Sequence, residues 1–274
     1  MIRRTAALFL AVLCTVLCMA SGCGARKEAR EAKAAGQEYL EAGEYQKAAE
    51  EFRRAYDTAG RSGKKFRDDI RVWLGDAEFS GGNYTEAAAV YRSLTETEEK
   101  KPEYHYYLAA SEAGTGDVSA ALADYRAASG KDKKHNSFET PGCVTAFRMT
   151  EQALLDAGME TEAADLCNEE FAAGAVHPEV YNRAGMCCML SGDYEKAGEM
   201  FAKGLEAAAG SGEETEAAVR EICTRELMWN QAVLSERRGD YAGALAAFRA
   251  WRDRFGSEED AEREILFLES RVEE

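Results

Sequence analysis

Residues 178–205 read PEVYNRAGMCCMLSGDYEKAGEMFAKGL, a stretch that sets small and aromatic residues in a fixed order. The positions of this order are Tyr181, Ala184-Gly185, Gly192-Asp193-Tyr194, Ala197 and Phe201. A glycine ends one helix, because it adopts the left-handed conformation without a Cβ clash, and the aspartate after it can cap the next helix. The two aromatic residues that follow are seven positions apart and therefore share one helix face. The stretch predicts two antiparallel helices packed through small residues.

The same order returns along most of the chain, in copies that begin near residues 29, 68, 102, 144, 178 and 225. The fourth copy keeps Gly158 and Ala163 but has no aromatic residue after its turn. The turns of the other copies are Gly43-Glu44-Tyr45, Gly82-Asn83-Tyr84, Gly116-Asp117-Val118 and Gly239-Asp240-Tyr241. A single copy would predict an ordinary helix pair, whereas six copies predict a stack of such pairs.

These residues resemble the tetratricopeptide repeat, whose length is about 34 residues. The resemblance covers roughly residues 29–258 and implies an all-α solenoid of about six helix-turn-helix repeats with a C-terminal capping helix. In this family the first helices line a groove that usually holds a peptide or a helix of a partner protein. Composition agrees with the fold class, because the chain has only 3 prolines and its β-branched residues are too scattered to build a sheet.

Insertions between the copies divide the chain further. We predict a signal segment in 1–22, a short tether in 23–28, three repeats in 29–135, a linker in 136–143, three more repeats in 144–258 and a capping helix in 259–274. The linker belongs to a longer stretch, 130–142, where the repeat register slips and where we expect a weak point. In the capping helix we expect Ile265, Leu266 and Leu268 to face the stack, because an uncovered last repeat would expose its apolar face.

The first residues have the order of an export signal. Arg3 and Arg4 precede an apolar run from Thr5 to Met19, and Ala20-Ser21-Gly22-Cys23 follows. This resembles a bacterial lipoprotein signal, which implies that Cys23 receives the lipid and becomes the mature N-terminus. A simple secretory peptide and an uncleaved helix are the alternatives, although a run of about 15 residues is shorter than the roughly 20 that span a bilayer. We expect an extracytoplasmic protein anchored by lipid to the cell membrane, on a Gram-positive surface or in a Gram-negative envelope.

The chain is strongly acidic, with 34 Lys and Arg residues, 50 Asp and Glu residues and a formal net charge of −16. Nucleic-acid affinity comes largely from Lys and Arg side chains that neutralise phosphates, so this charge argues against a nucleic-acid partner. It favours a protein partner that offers an apolar or basic segment.

The sequence offers no recognisable catalytic or metal-binding pattern. Its three histidines, His105, His135 and His177, are far apart in the sequence, and after Cys23 no pair of cysteines or histidines has the short spacing of a zinc site. We therefore predict no enzymatic activity, no cofactor and no metal.

Five cysteines follow Cys23 and admit two interpretations. They are small apolar fillers between helices, or two of them form a disulfide in an oxidising compartment. If a bridge forms, we expect Cys167 in the second helix of the fourth repeat to pair with Cys187 or Cys188 in the next helix, because those helices pack directly. The five are Cys143, Cys167, Cys187, Cys188 and Cys223.

Helix periodicity places the partner-binding groove on the first helices of the repeats. The candidate contacts are mostly large or adaptable apolar side chains: Phe79, Tyr106, Asn182, Met186, Met189, Trp229 and Val233. Arg148 and Gln152 map to the same face. The predicted function is a lipid-tethered scaffold or adaptor that holds a peptide or helix of its partner. The alternative is an accessory subunit of an envelope transport, secretion or assembly machine, or a lipoprotein that captures a solute.

Overall fold

The computed structural model describes residues 24–60, 63–210 and 214–272, and of 214–217 it describes the backbone alone. Within these ranges the chain forms thirteen α-helices and one short 3-10 helix, with no β-strand. No helix in these ranges is both long and apolar enough to cross a membrane. The predicted signal segment and Cys23 lie outside the described residues. The helices are α1 (24–41), α2 (Tyr45–Ala59), α3 (Lys64–Ser80), α4 (Tyr84–Thr97), α5 (Pro102–Thr115), α6 (Val118–Lys131), α7 (Cys143–Asp156), α8 (Glu160–Ala172), α9 (Pro178–Leu190), α10 (Tyr194–Ala208), α11 (Glu214–Arg237), α12 (Tyr241–Phe255) and α13 (Glu259–Val272), with η1 (His135–Ser137) between α6 and α7.

Helices α1 to α12 fall into the six predicted pairs, each joined by a short turn, and the all-α class is confirmed. The chain divides into an N-terminal unit that ends at Ala127 and a C-terminal unit that begins at Ala128. In the N-terminal unit, α2, α3, α4 and α5 pack each on the next. In the C-terminal unit, each helix from α7 to α13 packs on the next, and the first helix α9 also touches the first helices α7 and α11.

Glycines of the first helices let aromatic rings of the second helices lie against the backbone, as the sequence pattern predicts. The pairs are Gly36 with Phe52, Gly75 with Tyr91 and Gly185 with Phe201, and a Cβ added to these glycines would lie 2.7, 2.9 and 2.4 Å from the nearest ring carbon. The three rings are fully buried. A side chain larger than hydrogen therefore has no room at these positions unless the helices move apart.

The predicted turn chemistry is also confirmed. Gly192 has a φ of +83°, in the left-handed region that glycine tolerates. Asp193 then caps α10, because its Oδ1 accepts a hydrogen bond from the backbone N–H of Lys196 at 3.1 Å. Asp117 and Asp240 cap α6 and α12 in the same way, at 3.1 and 2.9 Å.

The aromatic residues directly after the turns contribute less to the core than we expected. Tyr45 and Tyr241 are each 38% exposed, whereas their partners seven residues later, Phe52 and Phe248, are fully buried. The first residue of a second helix lies at the end of its helix pair, where water still reaches it. The later aromatic residue makes the contacts with Gly36, Gly75 and Gly185, whereas Tyr84, directly after its turn, lies against Gly114 of the following first helix.

The capping helix α13 covers the last pair, with one correction to its predicted face. Ile265 and Leu268 are buried as expected, but Leu266 is 66% exposed and Ala261 takes the remaining core position. Positions three or four apart share a helix face, whereas Leu266 directly follows Ile265 and points elsewhere.

The stretch 130–142 is attached to the C-terminal unit by aromatic contacts. Phe138 is buried and has a φ of +58°, and its ring centroid lies 5.6 Å from that of Phe147 and 5.2 Å from that of His177. That the stretch 130–142 is a weak point of the chain stays a prediction. The insertion before the sixth repeat appears in part as a longer helix, since α11 has 24 residues.

Candidate functional site

The first helices of the C-terminal unit bring opposite charges together. Arg148 of α7 contacts two carboxylates, with its Nε 3.3 Å from Glu179 Oε1 and its Nη1 donating to Glu226 Oε1 at 3.0 Å. Glu179 of α9 is fully buried, and burial raises the pKa of its carboxyl although Arg148 opposes the rise. The side chains of Arg148 and Glu226 remain 37% and 34% exposed, so a molecule bound at this surface would meet both.

Two asparagines extend these polar contacts between α9 and α11. Asn182 donates to Glu226 Oε2 at 3.3 Å, and Asn230 donates to Asn182 Oδ1 at 2.8 Å. Asn182 is only 1% exposed. The expectation that Asn182 contacts a partner is therefore corrected: its amide is already occupied, and it holds α9 against α11 in the register that presents Glu226.

A second ion pair lies deeper, between α7 and α9. Arg183, which is 6% exposed, pairs through its guanidinium with Glu151 Oε2 and donates from Nη2 to Gln152 Oε1 at 2.7 Å. The other oxygen of Glu151 accepts a hydrogen bond from the Cys187 thiol at 3.3 Å. Burial raises the pKa of Glu151, and the charge of Arg183 opposes this rise. Each of these two buried charges is therefore compensated by the other; an unpaired charge at this depth would destabilise the fold.

The first helices α9 and α11 also carry apolar side chains. Met186 and Met189 of α9 are half-buried and pack on the core around Phe201, while Val233 of α11 is half-buried against the core of the last pair. Trp229 is half-buried as well, but its ring meets Phe248 and Trp251 edge-on, with centroids 4.9 and 5.2 Å away, so it also supports the α11–α12 pair. We call this surface the first-helix face; it consists of Arg148, Met186, Met189, Glu226, Trp229, Asn230 and Val233.

The first helices of the N-terminal unit carry a smaller polar arrangement. Lys33 of α1 forms a 2.6 Å ion pair with Asp69 of α3 and lies 5.7 Å from the centroid of the Trp73 ring. Asp76 accepts a 2.5 Å hydrogen bond from the Tyr91 hydroxyl, while burial raises the pKa of its carboxyl. The Lys33–Asp69 pair joins two neighbouring repeats, and the Asp76–Tyr91 hydrogen bond joins the two helices of one repeat.

The two groove residues predicted in this unit have different surroundings. Phe79 is half-buried, with its ring edge-on to Tyr84 and Tyr107 at centroid distances of 5.4 and 5.9 Å. Tyr106 is fully buried, and its ring lies 5.9 Å from that of Tyr125. Tyr106 is therefore a core residue and not an exposed contact, a correction that periodicity alone could not supply.

Each of the three histidines has its own polar partner, and the rings of His135 and His177 both stack on Phe138. His105 Nδ1 lies 3.3 Å from Asp124 Oδ1, His135 Nε2 lies 2.6 Å from Glu170, and His177 Nδ1 accepts from the backbone N–H of Glu179 at 3.2 Å. The cysteines within the described ranges are free thiols, and all but Cys188 are buried. Burial, together with nearby carboxylates, raises the pKa of Cys223 to about 12.

Known proteins share the repeat and the fold with this chain. The tetratricopeptide repeat family matches residues 33–105 and again residues 178–210. PilF of Pseudomonas aeruginosa is similar with a TM-score of 0.55 and 13% identity, over 90% of this chain and 99% of that one. PilW, a type IV pilus biogenesis factor, is similar with a TM-score of 0.58 and 12% identity, over 86% of this chain and 97% of that one. The C-terminal part of a tetratricopeptide repeat protein from Cytophaga hutchinsonii is similar with a TM-score of 0.51 and 12% identity, over 86% of this chain and 87% of that one.

No curated protein sequence matches the chain. The sequence identities to the solved structures are low, so these comparisons show a shared fold only. Tetratricopeptide repeats are typically interaction modules, and the family's pattern is matched in both units, on helix pairs whose glycine–aromatic packing explains it. This chain contains tetratricopeptide repeats in each of its two units.

Proposed function

We propose that this chain is a non-catalytic scaffold whose first-helix face binds a segment of a partner protein. One observation carries the proposal: three consecutive first helices, α7, α9 and α11, contact one another at a partly exposed surface through Arg148, Asn182 and Glu226. Arg148 and Glu226 offer hydrogen-bonding groups that are a third exposed. Met186 and Met189 are half-buried and follow Asn182, which contacts Glu226, by four and seven residues, so helical spacing places them on the same side of α9. Flexible thioether side chains next to fixed polar groups suit a partner helix or peptide, because methionine adapts to irregular apolar surfaces.

The chemistry of the partner follows from charge. The formal net charge of the chain is −16, so a basic segment is attracted and an acidic one is repelled. At the first-helix face, Glu226 accepts hydrogen bonds from Arg148 and Asn182 but keeps a third of its surface in contact with solvent. We propose a partner segment with an apolar side and one or more Lys or Arg side chains.

The proposed cellular position is the outside of a cell membrane, with the chain held by a lipid on Cys23. The support is the sequence alone: an apolar run ends in Ala20-Ser21-Gly22-Cys23. A lipid tether would confine the scaffold to the membrane surface and raise the effective concentration of partners bound there.

A related proposal is that the chain is an accessory subunit of an envelope machine. PilW, a type IV pilus biogenesis factor, has the same fold over 86% of this chain, and this likeness motivates the idea. The two proposals share a binding surface and differ in the partner, which would be a subunit of a large assembly in the second case.

The test combines capture with a matched pair of variants. The full chain is used to isolate partners from envelope extracts, and the affinity of the purified partner is then measured for Met186→Ala/Met189→Ala and for Leu190→Ala. Leu190 lies on the same helix but is 60% exposed and is not part of the first-helix face. We expect the double variant to lose about 2 kcal/mol of binding free energy, the size of an interface hot spot, and Leu190→Ala to lose little. Equal affinity of a folded double variant, checked by circular dichroism, would contradict the proposal.

A further inference from the structure

Two thiols and a carboxylate from three different helices meet inside the C-terminal unit. The ligand atoms of Glu151 on α7, Cys167 on α8 and Cys187 on α9 all lie within 4.8 Å of one another. Cys167 is 2% exposed and Cys187 is 9% exposed, while Glu151 is fully buried. Buried thiols usually pack against apolar groups, so a buried carboxylate beside these two thiols calls for an explanation.

The distances suit a tetrahedral divalent cation. Zinc binds sulfur at about 2.3 Å and carboxylate oxygen at about 2.0–2.2 Å, so two ligands of a tetrahedral site lie roughly 3.5–3.8 Å apart. The Cys187 sulfur is already 3.3 Å from Glu151 Oε1. The Cys167 sulfur is close enough to Cys187 for the two thiols to interact by a hydrogen bond. Small side-chain rotations would bring the three atoms to bonding distance around one ion.

The charges around the three ligands also balance. When a divalent cation replaces the two thiol protons, it gains two thiolates and one carboxylate, which gives a net charge of −1. Arg183, which pairs with the other oxygen of Glu151, supplies the compensating positive charge. The loaded site and the metal-free site with two neutral thiols are therefore both neutral, and neither leaves an unpaired charge in the interior.

A path to the site is present in the C-terminal unit. Cys167 and Cys187 line a surface pocket of about 670 Å³, whose wall also includes Asn168 and Cys188. A cation can enter through this pocket, and water from it can complete the fourth position. Sulfur ligands favour soft or borderline ions such as zinc over calcium or magnesium.

We propose that Glu151, Cys167 and Cys187 form a zinc-binding site that ties α7, α8 and α9 together. Binding releases two protons, one from each thiol, and involves no change of oxidation state. The site joins the fourth repeat, which lacks the aromatic residue after its turn, to the regular fifth repeat. It departs from the expectation of no metal drawn from the sequence, and it does not depend on which partner the first-helix face binds.

The test uses the full chain with its thiols reduced under argon and freed of metal. Cobalt(II) is added as a spectroscopic substitute for zinc. We expect one cobalt per chain, a thiolate-to-cobalt charge-transfer absorption and the strong visible bands of tetrahedral cobalt, all removed by added zinc. Zinc should also raise the thermal midpoint of the wild-type chain, because it binds only the folded state. Absence of the charge-transfer absorption, or the weak bands of cobalt bound by oxygen alone, would overturn the proposal.

Variants locate the site. Cys167→Ser and Cys187→Ser should each weaken cobalt binding at least about tenfold, and Glu151→Gln should do the same while keeping an acceptor for Arg183. Cys188→Ser is the matched control, because Cys188 adjoins Cys187 and lines the same pocket without belonging to the three ligands. Cobalt binding that survives both Cys167→Ser and Cys187→Ser, or that is lost in Cys188→Ser, would overturn the assignment. The wild-type titration remains decisive if a variant fails to fold.

Discussion

Replacement of Gly185 by alanine tests the helix packing on which the fold rests. The added Cβ would lie 2.4 Å from Phe201 Cε1 and 2.6 Å from Cδ1. Ordinary contacts between carbon atoms are about 3.5–4.0 Å, so the ring or the helix must move by about 1 Å. Phe201 is fully buried, so its ring can move only if the side chains packed around it move as well. Overpacking costs up to about 3 kcal/mol, and the better helix propensity of alanine returns about 1 kcal/mol, which leaves a net loss of about 2 kcal/mol.

Urea denaturation followed by circular dichroism measures this loss, and two further variants control it. Gly130 lies in α6, and a Cβ added to it would have nothing within 4 Å. Gly130→Ala should therefore stabilise the folded chain by up to about 1 kcal/mol. In the double variant Gly185→Ala/Phe201→Leu the smaller side chain makes room for the Cβ, so the combined loss should be less than the sum of the two single losses. A Gly185→Ala chain as stable as the wild type would show that α9 and α10 are not packed as closely as described.

Three further predictions concern a cap, a titrating carboxyl and the proposed anchor. Asp193→Ala should lower the free energy of unfolding by about 1 kcal/mol in urea titrations, since it removes the cap on the Lys196 N–H; an unchanged midpoint would contradict this role. Burial raises the pKa of Glu112 from 4.5 to about 7, although a hydrogen bond from Arg92 opposes the shift. The folded state therefore holds this proton more tightly, and the stability it provides is complete below pH 4.5 and is lost as the pH rises through 7. Glu112→Gln should flatten that decline in urea midpoints measured across this range, and an identical pH dependence in the variant would refute the assignment. Cys23→Ala should abolish incorporation of radiolabelled palmitate, whereas labelling at the wild-type level would exclude Cys23 as the anchor.

The sequence predicted the helix pairs well because their signals are local and repeated. Gly185 with Phe201 and Gly75 with Tyr91 recur at one spacing, and each needs only its own helix pair to explain it. The cap formed by Asp193 is equally local. Such features follow from chain geometry within about 20 residues, so they can be read from one copy and checked against the others.

The candidate site was less predictable because it depends on the register between repeats. Arg148 was placed on the correct face, but its partners Glu179 and Glu226 are brought to it by two other helices. Tyr106 was misplaced because helical periodicity identifies a face without telling whether a neighbouring helix covers it. The sequence did contain a clue: Glu179 and Glu226 are each the second residue of a repeat, so they occupy equivalent positions on successive first helices.

The cysteines show the same limit. Cys167 and Cys187 were recognised as close neighbours, because their helices were expected to pack directly. Glu151 was missed as a third member of the group, since it lies on another helix and its glutamate resembles many others in an acidic chain. Metal patterns with short spacing could not reveal a group assembled from three helices.

The central claim, that the first-helix face binds a partner protein, is tested most directly by site-specific photocrosslinking in the native envelope. A diazirine analogue of methionine is placed at Met189, on the first-helix face, or at Met200, a half-buried methionine of the second helix in the same repeat. We predict that position 189 crosslinks to a discrete protein partner and that position 200 does not. Crosslinks from position 200 alone, or equal crosslinks from both positions, would contradict the account.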